Sequence, residues 1–261
     1  PTIMNMGVGF NPRPSFNMVG MFMTSKFTKK KSVVFIPGAL CTKKIFADQI
    51  AGITPTFETL IVDNLKSKSI SDMAEKLLES APSRFGLVGI SMGGYVALEV
   101  MRIAPERVWG AVLISTTAKA ETLSQSEERK RWMRKVEIGK HDDLVDEIVN
   151  ACISSKNTSN TAKINFYEMV KSHSVETLRY QMIASSTRPD FQESLKNIQC
   201  PILLIGGSED ADFFKNGIKK INESVKNSEI LFLQNCGHLP TIESPKITTQ
   251  KIKNFLLNIE V

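Results

Sequence analysis

The stretch that decides the fold runs Phe85-Gly86-Leu87-Val88-Gly89-Ile90, Ser91-Met92-Gly93-Gly94, then Tyr95-Val96-Ala97-Leu98-Glu99-Val100-Met101-Arg102-Ile103-Ala104-Pro105. The first six residues form a continuous apolar run, as expected of a strand buried on both faces. In the last block Val96, Ala97, Val100 and Met101 recur at helical spacing, and Pro105 closes the helix. Between the two lies Gly89-Ile90-Ser91-Met92-Gly93, a G-x-S-x-G pentad. A serine on a sharp strand-to-helix turn is held up for attack, and small flanking residues let the backbones approach. The pentad alone also suits an ordinary tight turn. Its place between strand and helix makes Ser91 the candidate nucleophile.

Outward from this unit the chain alternates in the same way. Strands are expected at 33–36, 59–62, 85–90, 110–115, 202–205 and 230–233, each apolar and bounded by Gly, Pro or polar residues. Ser69 with Asp72 reads as a capping box opening one helix, and Ser244-Pro245 as the N-cap and first-turn proline of the last one. This is the pattern of a mostly parallel sheet with helices on both faces. Between about 117 and 200 the rhythm changes to helices alone. A helical insertion over the carboxyl ends of the strands, where such sheets bind ligands, is expected there. The organisation read from the sequence is therefore an N-terminal extension over 1–31, an α/β core over 32–116 and 201–261, and a helical cap over 117–200.

A serine hydroxyl needs a base within hydrogen-bond reach. His238, in Asn235-Cys236-Gly237-His238-Leu239-Pro240, follows the last expected strand, which puts it at the same sheet edge as Ser91. His141 and His173 fall in the cap and read as solvated or partly packed. The third member must hold the imidazole in the right tautomer. Three acids, Glu209, Asp210 and Asp212, crowd the loop after the strand at 202–205. Asp210 is the candidate, with Asp212 second. An acyl-transfer site also needs two N–H donors aimed at the developing oxyanion. Met92, directly after the nucleophile, supplies one. The loop Pro37-Gly38-Ala39-Leu40-Cys41 supplies the other through Ala39.

These motifs resemble the α/β-hydrolase superfamily over residues 32 to 259. The most specific match is Ser91-Met92-Gly93-Gly94-Tyr95-Val96-Ala97-Leu98-Glu99 followed by Ala104-Pro105-Glu106-Arg107-Val108. The family's Gly-x-x-Asp corresponds to Gly207-Ser208-Glu209-Asp210. Its Gly-His-x-Pro-x-x-Glu-x-Pro corresponds to Gly237, His238, Pro240, Glu243 and Pro245. The chain order Ser91, Asp210, His238 is also the family's. Two departures stand out. The usual His-Gly of the oxyanion loop is Pro37-Gly38 here, as in small esterase-like branches, and the family's opening strand pair has no counterpart in 1–31. The resemblance implies a serine esterase working through an acyl-enzyme, with no metal and no organic cofactor. The bulky apolar residues of the cap, Trp132, Met133, Phe166, Tyr167, Met169 and Met182 among them, point to small to medium acyl groups. Thioester, lactone and carbon–carbon bond hydrolysis stay open with the same residues. So do a cofactor-free lyase or perhydrolase and a non-enzymatic binding protein. Leu40, Trp132, Met133 and Leu239 are the candidate substrate contacts. The charge-dense segment from Glu127 to Lys135 reads as a solvated cap face, or as a docking face for an acidic acyl carrier.

Bulk properties narrow the classes. The 261 residues are 42% hydrophobic and 23% charged, and no apolar run reaches the roughly 18–20 residues a membrane helix needs. The net charge of +6 is local: residues 1–47 hold seven basic residues and no acid, leaving 26 basic against 27 acidic residues elsewhere. A nucleic-acid groove draws its charge from several parts of a domain, so none is expected. Four cysteines without a C-x-x-C pair argue against a disulfide framework or zinc site and for a reducing, cytoplasmic setting. The Met-rich, acid-poor leader resembles a transit peptide in composition, and the missing initiator Met fits processing. The expectation is a poorly ordered or loosely attached segment.

Overall fold

The computed structural model describes residues 30–62, 67–157 and 160–260. Apart from Lys30 and Lys31, the expected N-terminal extension lies outside them. Lys30 donates through Nζ to the Thr54 carbonyl and Lys31 to that of Ile259.

Six strands form one parallel sheet in the order β2-β1-β3-β4-β5-β6. They are β1 (Ser32–Ile36), β2 (Glu58–Ile61), β3 (Phe85–Ile90), β4 (Val108–Ile114), β5 (Ile202–Gly207) and β6 (Ser228–Leu233). β1, β3, β4 and β5 are buried along their whole length, as apolar runs without polar alternation require. Their side chains divide between the faces with period two. Val33, Phe35, Val88, Ile90, Val112 and Ile114 point into one core. Val34, Ile36, Leu87, Ala111, Leu113 and Leu204 point into the other.

Helices cover both faces. α1 (Ala47–Ile53) and α10 (Pro245–Leu257) lie on the first, through Ile53, Ile252, Phe255 and Leu256. α2 (Ile70–Ser80), α3 (Met92–Ile103) and α8 (Asp212–Ser224) lie on the second, through Met73, Leu77, Val96, Val100, Ile218 and Ile221. Ser69 caps α2 as expected, its hydroxyl accepting the Asp72 N–H. Ser244 stands at the N-cap of α10 with Pro245 behind it, but its side chain makes no capping bond. It also ends the short helix α9 (Pro240–Glu243), which the sequence pattern does not announce, and its backbone stands at φ −137°, ψ 55°.

Between β4 and β5 come α4 (Leu123–Glu137), α5 (His141–Cys152), α6 (Asn160–Lys171) and α7 (Val175–Ser186), with no strand among the described residues there. α4 opens with a full capping box, Thr122 with Gln125. Glu147 of α5 accepts from Arg131, Lys135 and the Trp132 indole of α4. Above all the Arg131 bond, and then those from Lys135 and Trp132, hold the Glu147 carboxyl down at about 2. The apolar faces of α5, α6 and α7 (Leu144, Ile148, Phe166, Met169, Met182) join the first core directly. The result is the α/β-hydrolase arrangement with a helical cap that the resemblance implied. Strand order reverses between β1 and β3, so their carboxyl ends open the crevice where such sheets bind ligands.

Candidate active site

Ser91 sits between β3 and α3 at φ 53°, ψ −117°, a left-handed conformation that a side chain rarely adopts. Three bonds hold it there. Its N–H donates to the Ile114 carbonyl at 2.9 Å, and its own carbonyl accepts from Gly94 N–H and from Thr116 Oγ1, both at 2.9 Å. The turn closes because Gly93 has no side chain. A Cβ there would lie 2.0 Å from the Ile36 carbonyl oxygen, and one on Gly89 would lie 2.5 Å from that of Gly93. Strain of this kind costs on the order of 1–3 kcal/mol and persists only where surrounding bonds over-determine it.

His238 follows β6 in a loop that bends at Asn235, φ 55°. Its Nε2 is 2.9 Å from Ser91 Oγ, and its Nδ1 lies 3.0 and 3.1 Å from the two carboxylate oxygens of Asp210. Asp210 accepts only at its carboxylate, so Nδ1 carries the proton and donates, leaving Nε2 free to accept from the serine hydroxyl. The Asp210 carboxylate also accepts the Ala211 N–H at 2.7 Å. The side chains of His238 and Asp210 are 8% and 2% exposed, so water competes little for these bonds. The Phe214 ring, 4.3 Å from the imidazole between centroids, closes one side.

The other acids of that loop point elsewhere. Glu209 pairs with Lys156 at 2.9 Å, and Asp212, 88% exposed, pairs with Lys215 at 3.0 Å.

The loop carrying Ala39 lies against the serine: a Cβ on Gly38 would come within 3.3 Å of Ser91 Cβ. Cys41 N–H donates to the Gly38 carbonyl at 3.2 Å, closing a turn with Ala39 and Leu40 at its centre. Neither Ala39 N–H nor Met92 N–H has a hydrogen-bond acceptor among the described residues, which leaves both available to a ligand. Leu40 and Leu239 are buried in the core beneath this edge. Trp132 and Met133 are partly buried on α4. Trp132 turns toward Glu147 of α5, while Met133 with Met182 lines a groove of about 710 Å³ between α4 and α7. His141 and His173 are half-buried in the cap, far in the chain order from the sheet edge. Among the described residues no group of three or more His, Cys, Asp or Glu is arranged to hold a metal ion.

Phe214 and Thr116 carry no role in the sequence reading, nor do Glu243 and Gln181, which hold the loops of this site. Glu243 accepts from the N–H groups of Ser154 and Gly237 through one carboxylate oxygen and of Leu239 through the other, at 2.9–3.0 Å. It thereby grips the loop on both sides of His238, and the His238 N–H donates to the Cys152 carbonyl of α5 at 2.7 Å. The signal was present in the Gly-His-x-Pro-x-x-Glu spacing but gives no partner. Gln181 of α7 accepts the Leu40 N–H at 2.8 Å, a contact across 141 residues with no local signature.

Comparison with known proteins places this architecture. The model of the Ndr family matches residues 57–259. A monoacylglycerol lipase, ABHD6, from Bos taurus is 24% identical over 265 residues, covering 95% of this chain and 76% of the relative. Among solved structures, an esterase from Thermogutta terrifontis superposes with a TM-score of 0.79 at 20% identity, covering 89% of this chain and 92% of the other. An enol-lactonase from Burkholderia xenovorans LB400 superposes at 0.81 and 16%, covering 89% and 94%. Bromoperoxidases, one from Bacillus anthracis, also share the fold. At these identities the structural likenesses establish the fold and a broadly hydrolase-like company, with no single reaction common to all.

Proposed function

Because this chain belongs to the Ndr family on an α/β-hydrolase fold and holds Ser91, His238 and Asp210 in one hydrogen-bonded row, we propose that it is a serine hydrolase of carboxylic esters. The observation that carries the reading is the continuous relay from Ser91 Oγ through His238 to the Asp210 carboxylate. In the proposed reaction Ser91 Oγ attacks the ester carbonyl as its proton passes to His238 Nε2. The tetrahedral oxyanion accepts from Ala39 and Met92 N–H. Its collapse expels the alcohol, which takes the proton from His238, and leaves an acyl-serine. His238 then draws a proton from water, whose oxygen attacks the acyl carbonyl, and the acid departs as Ser91 regains its proton. Asp210 stays ionised and stabilises the imidazolium throughout.

The same atoms serve a lactone, whose alcohol stays tethered to the acid. The likeness to an enol-lactonase favours keeping cyclic esters in the substrate class. The basic residues of α4 are largely engaged within the cap, Arg129 with Glu121, Lys130 with Glu127, and Arg131 and Lys135 with Glu147. A free small ester, rather than a carrier-bound acyl group, is therefore the substrate class proposed. We propose a reducing, cytoplasmic setting from the four scattered cysteines, which form no C-x-x-C pair.

A panel of p-nitrophenyl esters, lactones and acyl thioesters tests the reaction class. Turnover of one or more esters by the native chain, lost in Ser91→Ala, is the expected result. Turnover that survives Ser91→Ala would overturn the assignment, as would an inert native chain.

A further inference from the structure

The turn at Gly38–Cys41 has an unusual centre. Leu40 occupies its third position at φ 55°, where turns of this kind take glycine or asparagine. A leucine there is strained, and rotating the Ala39–Leu40 peptide by about half a turn would return it to an ordinary conformation. That rotation would swing the Leu40 N–H away from its present direction. The N–H is held by the side chain of Gln181, which reaches from α7 in the cap, is 2% exposed and accepts at 2.8 Å. Breaking this bond would leave a buried N–H and a buried amide oxygen unpaired, which opposes the rotation.

We infer that Gln181 is a positioning residue: by gripping the Leu40 N–H from the cap, it anchors the strained turn against the Ser91 edge and so holds the Ala39 N–H, which belongs to the preceding Gly38–Ala39 peptide, in place beside Ser91. This rests on the ester-hydrolase reading, in which Ala39 N–H receives the oxyanion. Its consequence is that oxyanion stabilisation depends on α7 being seated. The Ser91 and His238 bonds do not involve α7. Loss of the Gln181 acceptor should therefore act on transition-state charge more than on ester binding.

The test compares Gln181→Met, which keeps the bulk but lacks the acceptor, with Gln181→Glu, which keeps an acceptor, on the best p-nitrophenyl ester of the panel. Gln181→Met should lower kcat about 10-fold with KM within about twofold, and Gln181→Glu should restore kcat to within about threefold of the native value. Hydrogen exchange at the Leu40 amide should be slow in the native chain and Gln181→Glu, and faster in Gln181→Met. An unchanged kcat in Gln181→Met would overturn the inference. So would equal losses in both variants accompanied by equal falls in Tm, which would mean that Gln181 only packs. If the native chain turns over no ester, the hydrolase reading falls and this role falls with it, while the amide exchange still reports whether Gln181 holds the turn. Should Gln181→Met not fold, Gln181→Asn, whose acceptor falls short by one methylene, carries the same expectations.

Discussion

At the residue scale, which acid serves His238 turns on direction rather than proximity. Glu209, Asp210 and Asp212 all follow β5, yet only Asp210 turns inward to Nδ1. Asp210→Asn should preserve the fold and lower kcat by up to about 10⁴-fold, because an amide favours the wrong imidazole tautomer. Asp212→Asn and Glu209→Gln, which lose only surface pairs, should each change kcat little, as steady-state kinetics on the three variants would show. Glu99 gives a second prediction. Burial alone would raise its pKa, but bonds from Arg102 at 2.7 and 3.0 Å and from Ser71 at 2.6 Å outweigh burial and hold it below the usual carboxylate value. A folded pKa below the unfolded one, about 4.3, adds stability above that pH that is lost as pH falls through the folded value. The stability gap between the native chain and Glu99→Gln, from denaturant curves, should therefore be widest near neutrality and narrow below about pH 4. The thiols respond oppositely. Burial pushes Cys41 up to about 12 and Cys200 to about 11, and raises Cys152 and Cys236 as well. Thiolate is thus scarce at pH 8. A colorimetric thiol reagent should react slowly with the native chain and promptly with all four cysteines once it is unfolded.

At the element scale, the loops do the positioning, and each is held by a bond that sequence periodicity does not encode. The four inner strands were legible because buried parallel strands are written as apolar runs, and the half-exposed edge strands β2 and β6 because short β-rich stretches bounded by polar residues mark them. Their ends moved by only one or two residues: β4 begins at Val108 rather than Gly110, and β5 runs on to Gly207. The β3–Ser91–α3 unit was legible because strand, pentad and helix are contiguous. Glu243 and Gln181 were not, since their partners, Ser154, Gly237 and Leu239 for one and Leu40 for the other, depend on where the cap comes to rest. α9 was hidden by its four-residue length. The grip of Glu243 on the His238 loop predicts that Glu243→Ala lowers kcat by about 10-fold or more while Glu243→Gln loses less, measured on one ester under saturating conditions. The amide keeps one acceptor oxygen.

At the scale of the whole molecule, the cap and the core share one apolar interior, and the cap touches both halves of the site. α5 receives the His238 N–H and α7 pins Leu40. On the proposed function the cap bounds the acyl site, and cap methionines such as Met169 and Met182, packed in the shared core, adapt to varied small ligands. Short to medium p-nitrophenyl esters should accordingly be preferred to emulsified long-chain triglycerides, and efficient hydrolysis of the latter would count against a restrictive cap. The central claim, that this architecture exists to activate one serine, is tested most directly by a fluorophosphonate probe followed by peptide mass mapping. A single adduct on the peptide containing Ser91, absent in Ser91→Ala and strongly slowed in His238→Ala, is the result the account predicts. A native chain that stays unlabelled, or that carries the adduct on another residue, would contradict it.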